Sequence, residues 1–412
     1  MLAGDAAVLP GLAVAASSLL NGTRAPERVW LHVLTTRGDW SLVRETLRCC
    51  FVEDLTLDEK RLDVRAFDSA ALFSKILEGS KIPKRLSGEL NFARFVLPEL
   101  FGSFARKMVY LDADVVFEGD VADLYDAALL LRTPQPIAAV PRGTQHLRLS
   151  PTLSLAARKV LAKEGVTILR DDDPLPRVAD NEVDASSKAS HNRRPVTSLL
   201  DFNAGVLVLH LRRWADLNLT ARVLDFMRLN RELDVYTRGS NPPLVMALND
   251  RWERLDPRWN CPAQPSSTPL APQCVSNPGV VHLTGPDKPW LPDGLVDRRW
   301  KAKLDPTLAR CLLRHANFDL ARNQRAAKRR QQQGGTLELS FVLSTVLLLS
   351  VLLLALALLA RRRSGPACLV ASSSSASLSS SSPKVRQQQH RGGTTLPPNF
   401  GGGPTSTAKP RW

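Results

Sequence analysis

The sequence predicts an α/β domain followed by one membrane-spanning helix and a polar tail. Apolar, strand-like runs alternate with helical patterns over residues 1–140, and an uninterrupted apolar segment covers residues 339–360. Strands that alternate with helices are typical of a mostly parallel sheet covered on both faces. A chain of 412 residues, 44% of them hydrophobic, is long enough for one such domain with additional segments.

The spacing of the apolar residues gives the order of the elements. In chain order, the sequence predicts a strand at 27–36, a helix at 39–51, a strand at 61–68, a helix at 90–101, a strand at 107–117 and a strand within 199–214. Acidic and then basic residues dominate residues 144–198, where this order is lost. We therefore expect an insertion there that is partly disordered.

The net charge of +15 lies mostly outside the predicted domain. Basic residues cluster at 322–330 and after residue 360, whereas residues 1–321 keep a net charge near +3. A nucleic-acid-binding domain would carry its basic residues on the folded part. The charge pattern therefore indicates basic flanks around another feature, and we expect no nucleic-acid partner.

That feature is the apolar segment at 339–360, whose 22 uncharged residues suffice to cross a bilayer core as a helix. A buried core helix is the alternative, but the low-complexity sequence that follows offers nothing to cover it. Three arginines come directly after the segment and favour a cytosolic tail, although positive charge also precedes it. The predicted organisation is a folded domain at 1–310 with the insertion at 144–198, a basic juxtamembrane linker at 311–338, the transmembrane helix at 339–360 and a disordered basic tail at 361–412.

Six cysteines are present, and none of them has the Cys-x-x-Cys spacing typical of zinc sites. Cys261 and Cys274 flank a loop rich in proline and serine and can form a disulfide in an oxidising lumen. The first twenty residues lack the basic start of a secretory signal peptide. Glycosylation sequons occur at Asn21 and Asn218 and matter only if this side of the membrane is lumenal.

Two aspartates, Asp112 and Asp114, follow an apolar run in the segment "YLDADVVFEGD". Side chains two residues apart on a strand point the same way, so the carboxylates repel each other unless a cation lies between them. Ligands of an open parallel sheet bind beyond the carboxyl ends of its strands, where these residues are expected. Oxygen ligands suit a hard divalent ion such as Mn²⁺ or Mg²⁺. A solvated strand end without a metal is the alternative.

Three later segments contain residues that can complete such a site. In "DFNAGVLVLHLRRW", Asn203 offers a donor and an acceptor, and Gly205 allows the backbone to approach a ligand closely. In "VVHLTGPDKPW", His282 can bind the same metal as a neutral imidazole, and Lys288 can meet a phosphate. The third segment, "RWERLDPRWN", is rich in tryptophan and arginine without a helical period.

Together these segments resemble the family 8 glycosyltransferases, which include glycogenin, bacterial lipopolysaccharide galactosyltransferases and plant galacturonosyltransferase-like proteins. The order that carries the resemblance is "LNFARFVLPELF", "MVYLDADVVFEGDVADLYD", "FNAGVLVLHLRRW", "NPPLVMAL", "LDPRWN" and "VVHLTGPDKPW". It covers residues 1–300 apart from 144–198 and is most similar to the animal glycosyltransferase 8 domain-containing proteins. The resemblance implies a Rossmann-like GT-A fold that transfers a sugar, with retention, from a UDP-sugar donor to a carbohydrate or glycoconjugate acceptor, with Mn²⁺ bridging the diphosphate.

The resemblance also implies roles for individual residues. Asp112, Asp114 and His282 match the metal ligands, and Arg94 matches a basic residue near the donor phosphate and sugar. The other implied cofactor contacts are Asp5 to the uracil, Asn203 and Gly205 to the donor sugar, and Gly285 and Lys288 to the diphosphate. The expected catalytic residues are Asp112, Asp114, Lys288 and Asn203.

The chain departs from the family pattern in two places. Only four residues precede Asp5, where family members usually have a full first strand, so the strand is short or upstream residues are missing. The segment "SNPPL" stands where some bacterial members have an acidic and amide pair at the donor sugar. Asn241 and Pro242 cannot supply a carboxylate nucleophile, which favours front-face attack by the acceptor over a double displacement.

The predicted function is that of a membrane-anchored, Mn²⁺-dependent, retaining hexosyltransferase with its catalytic domain in the Golgi or endoplasmic-reticulum lumen. Two other classes of function stay open. One is a catalytically inactive, membrane-tethered binding protein with the same fold. The other is a metal-dependent nucleotidyltransferase, which also uses paired aspartates but has no need of the "HLTGPDKPW" segment or a membrane anchor.

Overall fold

The computed structural model describes residues 1–53, 57–68, 73–129, 132–169, 195–263, 270–291 and 297–318. The chain divides into two compact units, Met1–Glu338 and Leu339–Trp412, and the described residues all belong to the first. Within this described part, no helix has the length and apolar character needed to cross a membrane. The predicted transmembrane helix, the basic tail and most of the basic linker lie outside the described residues and stay predictions.

Two sheets organise the described residues, one of seven strands and one of three. The strands are β1 (Leu2–Ala3), β2 (Leu31–Thr35), β3 (Leu62–Ala66), β4 (Lys107–Leu111), β5 (Val115–Phe117), β6 (Ile137–Arg148), β7 (Val196–His210), β8 (Glu253–Arg254), β9 (Cys261–Pro262) and β10 (Val280–His282). The large sheet has the order β3-β2-β1-β4-β7-β6-β8, and the small sheet has the order β5-β10-β9.

The mostly parallel α/β sheet expected from the sequence is confirmed. Strands β3, β2, β1 and β4 run parallel to one another, and β7 runs antiparallel to both of its neighbours. Successive residues of β4 pack into two different apolar clusters. Tyr110 belongs to the cluster that contains Phe92 and Trp214, and Leu111 belongs to the cluster that contains Leu12 and Trp300. Because successive side chains of a strand point to opposite faces, both faces of this sheet are covered.

The helices connect and cover these strands. They are α1 (Leu9–Gly22), α2 (Trp40–Leu47), α3 (Lys75–Leu77), α4 (Leu97–Phe101), α5 (Val121–Ala127), α6 (Leu155–Lys163), α7 (Leu211–Asp216), α8 (Leu219–Leu233), α9 (Asn241–Leu248), α10 (Pro272–Ser276), α11 (Arg298–Lys303) and α12 (Pro306–Ala316). Asp120, Asp297 and Asp305 begin α5, α11 and α12, where their side chains accept hydrogen bonds from first-turn amides. A π-helical turn, Arg48–Glu53, follows α2, and a 3-10 helix, Glu89–Val96, precedes α4.

Residues 144–169 are more ordered than the sequence predicted. Strand β6 continues to Arg148, and α6 then buries Ala157 and Leu161 behind an N-terminal cap from Ser154. Polar residues form the exposed face of this helix, and their number concealed the helix from the sequence analysis. Residues 170–194 lie outside the described residues, so disorder there stays a prediction.

The predicted disulfide between Cys261 and Cys274 is present, with a sulfur–sulfur distance of 2.07 Å. It joins β9 of the small sheet to α10. The small sheet carries β10, which ends at His282. The disulfide therefore attaches α10 to β9, the strand that pairs with the strand supplying the histidine of the candidate site.

Candidate active site

The two aspartates of the Asp-Ala-Asp sequence lie in a turn between the two sheets. Strand β4 ends before Asp112, and β5 begins after Asp114. The single strand predicted at 107–117 is wrong, because Leu111 pairs with β7 in the large sheet whereas Val115 pairs with β10 in the small sheet. Apolar residues on both sides of the aspartates concealed this change of sheet. The expected place of the carboxylates, at the carboxyl end of a parallel strand, is confirmed.

A buried arginine partners Asp112. Arg94 is 2% exposed, and its guanidinium donates to Oδ1 of Asp112 at 2.9 Å and to the carbonyl oxygen of Ala204. The guanidinium carbon lies 4.6 Å from the centre of the Tyr110 ring. Burial disfavours the charged guanidinium, but Asp112 outweighs this and raises the pKa of Arg94 above its ordinary value. Arg94 is therefore a permanent cation beside the first carboxylate.

Two other side chains approach Asp114. Lys288 donates through Nζ to Oδ2 of Asp114 and to the carbonyl oxygen of Leu283, and Nε2 of His282 lies 3.1 Å from Oδ1 of Asp114. Burial raises the pKa of Asp114, but His282, when its ring carries a second proton, and Lys288 outweigh it and hold this pKa well below its ordinary value. The repulsion between the two aspartates is thus relieved by a separate partner for each.

The hydrogen bonds around His282 fix which of its ring nitrogens donates. Asn260 donates through Nδ2 to the carbonyl oxygen of Asn203 at 3.2 Å, so its Oδ1 faces Nδ1 of His282 at 2.8 Å. Nδ1 must then carry the proton, and in the neutral ring Nε2 presents a lone pair. That lone pair faces a carboxylate oxygen of Asp114. The contact is repulsive unless a second proton or a metal ion lies between the two atoms.

Gly205 provides the space for this ring. A Cβ atom at Gly205 would lie 2.0 Å from Cε1 of His282 and within 2.8 Å of both ring nitrogens. The sequence predicted that this glycine lets the backbone approach a ligand, but its close neighbour in the structure is the imidazole. Contact between Gly205 and a donor sugar stays a prediction.

The three predicted metal ligands fit a divalent ion. One ligand atom each from Asp112, Asp114 and His282 lies within 4.8 Å of the other two. Carboxylate oxygens with one imidazole nitrogen form a suitable set for Mn²⁺ or Mg²⁺. The hydrogen bond between Asn260 and the far nitrogen of His282 is the kind of contact that orients metal-binding histidines. The lone pair of Nε2 and both carboxylates are therefore arranged as ligands.

The aspartates line a cavity of about 790 Å³ at the carboxyl ends of the parallel strands. Residues that follow β1, β2, β3 and β4 line this cavity, and they include Gly4, Asp5, Thr36, Arg37, Phe67, Asp68, Asp112 and Asp114. The Asp5 carboxylate also accepts hydrogen bonds from the amides of Ala7 and Val8, so it begins the short helix that follows β1. The cavity extends from these strand ends to Arg94 and Lys288.

Most of the predicted site residues come together. Asp5, Arg94, Asp112, Asp114 and Lys288 line the cavity, and His282 adjoins it through Asp114. Asn203 and Gly205 lie on β7, outside the cavity wall. The carbonyl oxygen of Gly205 accepts a hydrogen bond from the amide of Asp112 at 2.8 Å, and Asn203 is linked to His282 through Asn260. Gly285, with φ of +104°, occupies the turn between His282 and Lys288, a conformation that favours glycine.

Sequence reasoning missed three residues of the site. Asn260 orients His282, Tyr110 packs on Arg94, and Asn91 accepts hydrogen bonds from Arg94 and Ser240. Asn91 and Tyr110 lie in the same sequence segments as the predicted residues Arg94 and Asp112. Asn260 is the last residue of "RWERLDPRWN", where the tryptophans and arginines drew attention away from the amide.

Comparison with known proteins agrees with this geometry. Residues 9–294 match the family described as Glycosyl transferase family 8. "Probable galacturonosyltransferase-like 10" of Arabidopsis thaliana is 24% identical over 310 residues, which cover 72% of this chain and 73% of that protein. "Glycosyltransferase 8 domain-containing protein 1" of Homo sapiens is 28% identical over 295 residues, which cover 68% and 70%.

A solved structure of the galactosyltransferase LgtC, in complex with donor and acceptor sugar analogs, has 18% identity and a TM-score of 0.44 and covers 73% of this chain and 93% of that one. A likeness of that size carries no argument by itself. The family match, by contrast, spans more than half of the chain and includes the Asp-Ala-Asp turn and His282. The chain therefore belongs to glycosyl transferase family 8.

Proposed function

We propose that the protein is a metal-dependent, retaining glycosyltransferase that moves a hexose or hexuronate from a UDP-sugar to a glycan, protein or lipid acceptor. One observation carries the proposal: Asp112, Asp114 and His282 can share an ion at the wall of a cavity that also holds Arg94 and Lys288. Two carboxylates for an ion, with two cationic side chains close by, are suited to an ion-bound diphosphate. The family match supports the reaction class.

Asp112, Asp114 and His282 would hold the ion. When bound, a divalent ion supplies positive charge that stabilises the negative charge developing on the departing UDP. The imidazole in the ligand set favours the transition metal Mn²⁺ over Mg²⁺. The arrangement of Asn260 supports this assignment, because it leaves Nε2 of His282 with a lone pair toward Asp114.

The two cationic residues have different roles in this proposal. Arg94 is buried and held by Asp112 and the carbonyl oxygen of Ala204, so it fixes the first carboxylate in place. Lys288 has a flexible stem, a side chain 20% exposed and a place in the cavity wall. Its ammonium can exchange Asp114 for a phosphate oxygen once the diphosphate enters, and it would then stabilise the leaving group.

Retention of configuration is assigned to front-face attack. Asn241 lies in the segment "SNPPL", where some bacterial members of the family have an acidic residue at the donor sugar, and it has no carboxylate. Its Nδ2 donates to Asp201 and to the carbonyl oxygen of Phe202. Asp201 itself is 2% exposed, with Arg142 and Arg238 each 3.5 Å from Oδ2. It is thus engaged with its own partners. The acceptor hydroxyl would attack the anomeric carbon on the face of the departing phosphate, whose oxygen takes the hydroxyl proton.

The proposal includes a lumenal catalytic domain anchored by residues 339–360. The disulfide between Cys261 and Cys274 supports an oxidising compartment, since such bonds are uncommon in the cytosol. The sequon residues Asn21 and Asn218 are both exposed. The Golgi and the endoplasmic reticulum are the compartments in which UDP-sugars and secretory acceptors meet.

The test combines UDP release with direct binding. The purified protein is incubated with a panel of UDP-sugars, with and without Mn²⁺, and UDP binding is measured by calorimetry. We expect Asp114→Ala to lose Mn²⁺-dependent UDP binding and turnover. The matched control is Asp225→Ala, which removes an aspartate that is 71% exposed and pairs with Arg228 on the same helix.

Unchanged Mn²⁺-dependent UDP binding in Asp114→Ala would contradict the metal assignment. An inactive binding protein would bind UDP with Mn²⁺ but release none from any donor. A nucleotidyltransferase would transfer the uridine monophosphate group of the UDP-sugar to its acceptor and release the sugar 1-phosphate, so no UDP would appear. Each rival function therefore gives its own result in the same assay.

A further inference from the structure

Two buried cysteines distant in the chain meet where α12 packs on α2 and on the π-helical turn that follows it. Cys50 lies in this turn and Cys311 lies on α12, and they are 0% and 1% exposed. The two residues are 261 positions apart in the sequence. Cys311 also contacts the carbonyl oxygen of Thr46 at 3.3 Å, so its side chain points at α2.

The two sulfur atoms lie 2.6 Å apart. This is well inside the separation of about 3.5–4.0 Å at which even carbon atoms make their best contact. It exceeds the sulfur–sulfur bond length of about 2.0 Å by roughly half an ångström. A small closure of the helix packing therefore brings the pair to bonding distance.

Cys49 is the competing thiol, since it is adjacent to Cys50 and also buried. Successive residues of a helical turn point about 100° apart, so the two thiols take different directions. The contact recorded with Cys311 is made by Cys50. The chain also holds the disulfide between Cys261 and Cys274, which forms under the same oxidising conditions.

We propose that Cys50 and Cys311 form a second disulfide in the mature protein. The oxidant is a disulfide of the secretory compartment, either a protein disulfide or oxidised glutathione. One cysteine thiolate attacks this disulfide and releases the first thiol, and the other thiolate then displaces the second. The cysteine pair loses two electrons and two protons, and the oxidant leaves as two thiols.

The bond would attach α12 to the N-terminal half of the domain. The family match ends at residue 294, so Cys311 lies on a helix beyond the matched region. Helix α12 is also the last element of the described residues, and it includes residues 311–316 of the predicted basic linker. A cross-link between such distant positions restricts the unfolded chain strongly. The last described helix would then stay docked on the catalytic domain.

Peptide mapping tests the proposal on the full chain expressed in eukaryotic cells. Cells are lysed in N-ethylmaleimide under denaturing conditions, and the protein is digested with trypsin without reduction. Cleavage places Cys50 in residues 49–60 and Cys311 in residues 311–314, whereas Cys261 and Cys274 share residues 259–298 and serve as an internal reference. We expect a cross-link between 49–60 and 311–314, also in Cys49→Ala, where Cys50 is the only candidate. The alkyl label on both Cys50 and Cys311, or a bond to another cysteine, would overturn the proposal.

Melting curves give an independent readout. We expect Cys311→Ala and Cys50→Ala to lower the melting temperature of the oxidised protein by several degrees. Dithiothreitol should then lower the melting temperature of these two variants by less than it lowers that of the wild type. Cys49→Ala removes a thiol of equal burial and should keep the full dithiothreitol response. An equal response in all three variants would show that no bond involves Cys50 and Cys311.

Discussion

Gly205→Ala is expected to disable the metal site through His282. The new Cβ atom would lie 2.0 Å from Cε1 of His282, closer than any non-bonded carbon pair can approach. The ring cannot move aside freely, because it is 4% exposed and is held by Asn260 at 2.8 Å. Overpacking of this kind costs about 1–3 kcal/mol of stability. Disturbing the contacts that orient a metal ligand lowers metal affinity roughly tenfold to a hundredfold, which corresponds to about 1.4–2.7 kcal/mol of binding free energy.

Calorimetric titration of Mn²⁺ in the presence of UDP measures this effect, and circular dichroism confirms that the variant folds. Gly38→Ala is the matched control, since the nearest atom to its new Cβ is Oγ1 of Thr36 at an ordinary 3.9 Å. The double variant with His282→Ala separates the cause. Once the ring is gone, Gly205→Ala should weaken Mn²⁺ binding no further.

Two results would refute the reasoning. Mn²⁺ affinity of Gly205→Ala within a factor of two of the wild type would show that His282 tolerates the methyl group or is not a ligand. An equal additional loss from Gly205→Ala in the His282→Ala background would show that the glycine acts through something other than the ring.

Four further outcomes are expected. Lys288→Ala removes a charged hydrogen bond worth about 1.5–3 kcal/mol, so turnover at saturating donor should fall roughly tenfold to a hundredfold; a change within twofold would contradict its role on the leaving group. Arg94→Lys keeps the charge but loses the planar fork, so kcat/KM should fall at least about tenfold, and wild-type kinetics would count against Arg94 as the anchor of the Asp-Ala-Asp turn. Burial raises the pKa of Asp120, but backbone and guanidinium donors outweigh it and hold that pKa below its ordinary value, so its stabilisation is present above about pH 4 and is lost as the pH falls further; the melting temperature of Asp120→Asn should depend less on pH in that acidic range, and parallel curves would refute this. Glycosidase treatment of the full chain should shift its gel mobility unless Asn21 and Asn218 are both replaced by Gln, and no shift together with protease access in intact microsomes would place the domain in the cytosol.

The parallel strands and their carboxyl-end site could be predicted from the sequence because both depend on local patterns. Alternating strands and helices gave the fold class, and Asp112 and Asp114 followed an apolar run. His282 and Lys288 were predicted from a segment of strand and turn. These residues meet because the topology brings strand ends together, which requires no knowledge of side-chain packing.

The contacts that depend on packing could not be predicted. Gly205 looks like a glycine that admits a ligand, and only the position of the His282 ring shows its other role. Asn260 has no local pattern that marks it as the residue that orients His282. The change of sheet between Leu111 and Val115 is concealed by apolar residues on both sides of the two aspartates. In each case the deciding partner lies far away in the sequence.

The placement of Asp114 between two sheets has a consequence for how the domain matures. Lys288 contacts Asp114 although the two residues are 174 positions apart in the sequence, and β10 must pair with β5 before His282 can arrive. Contacts between such distant residues form late in folding, because long loops must close first. A ribosome-bound or partly folded chain can complete the large sheet's early strands while it still lacks the histidine and the lysine. Sugar-nucleotide chemistry would therefore switch on only in molecules in which β10 has paired with β5.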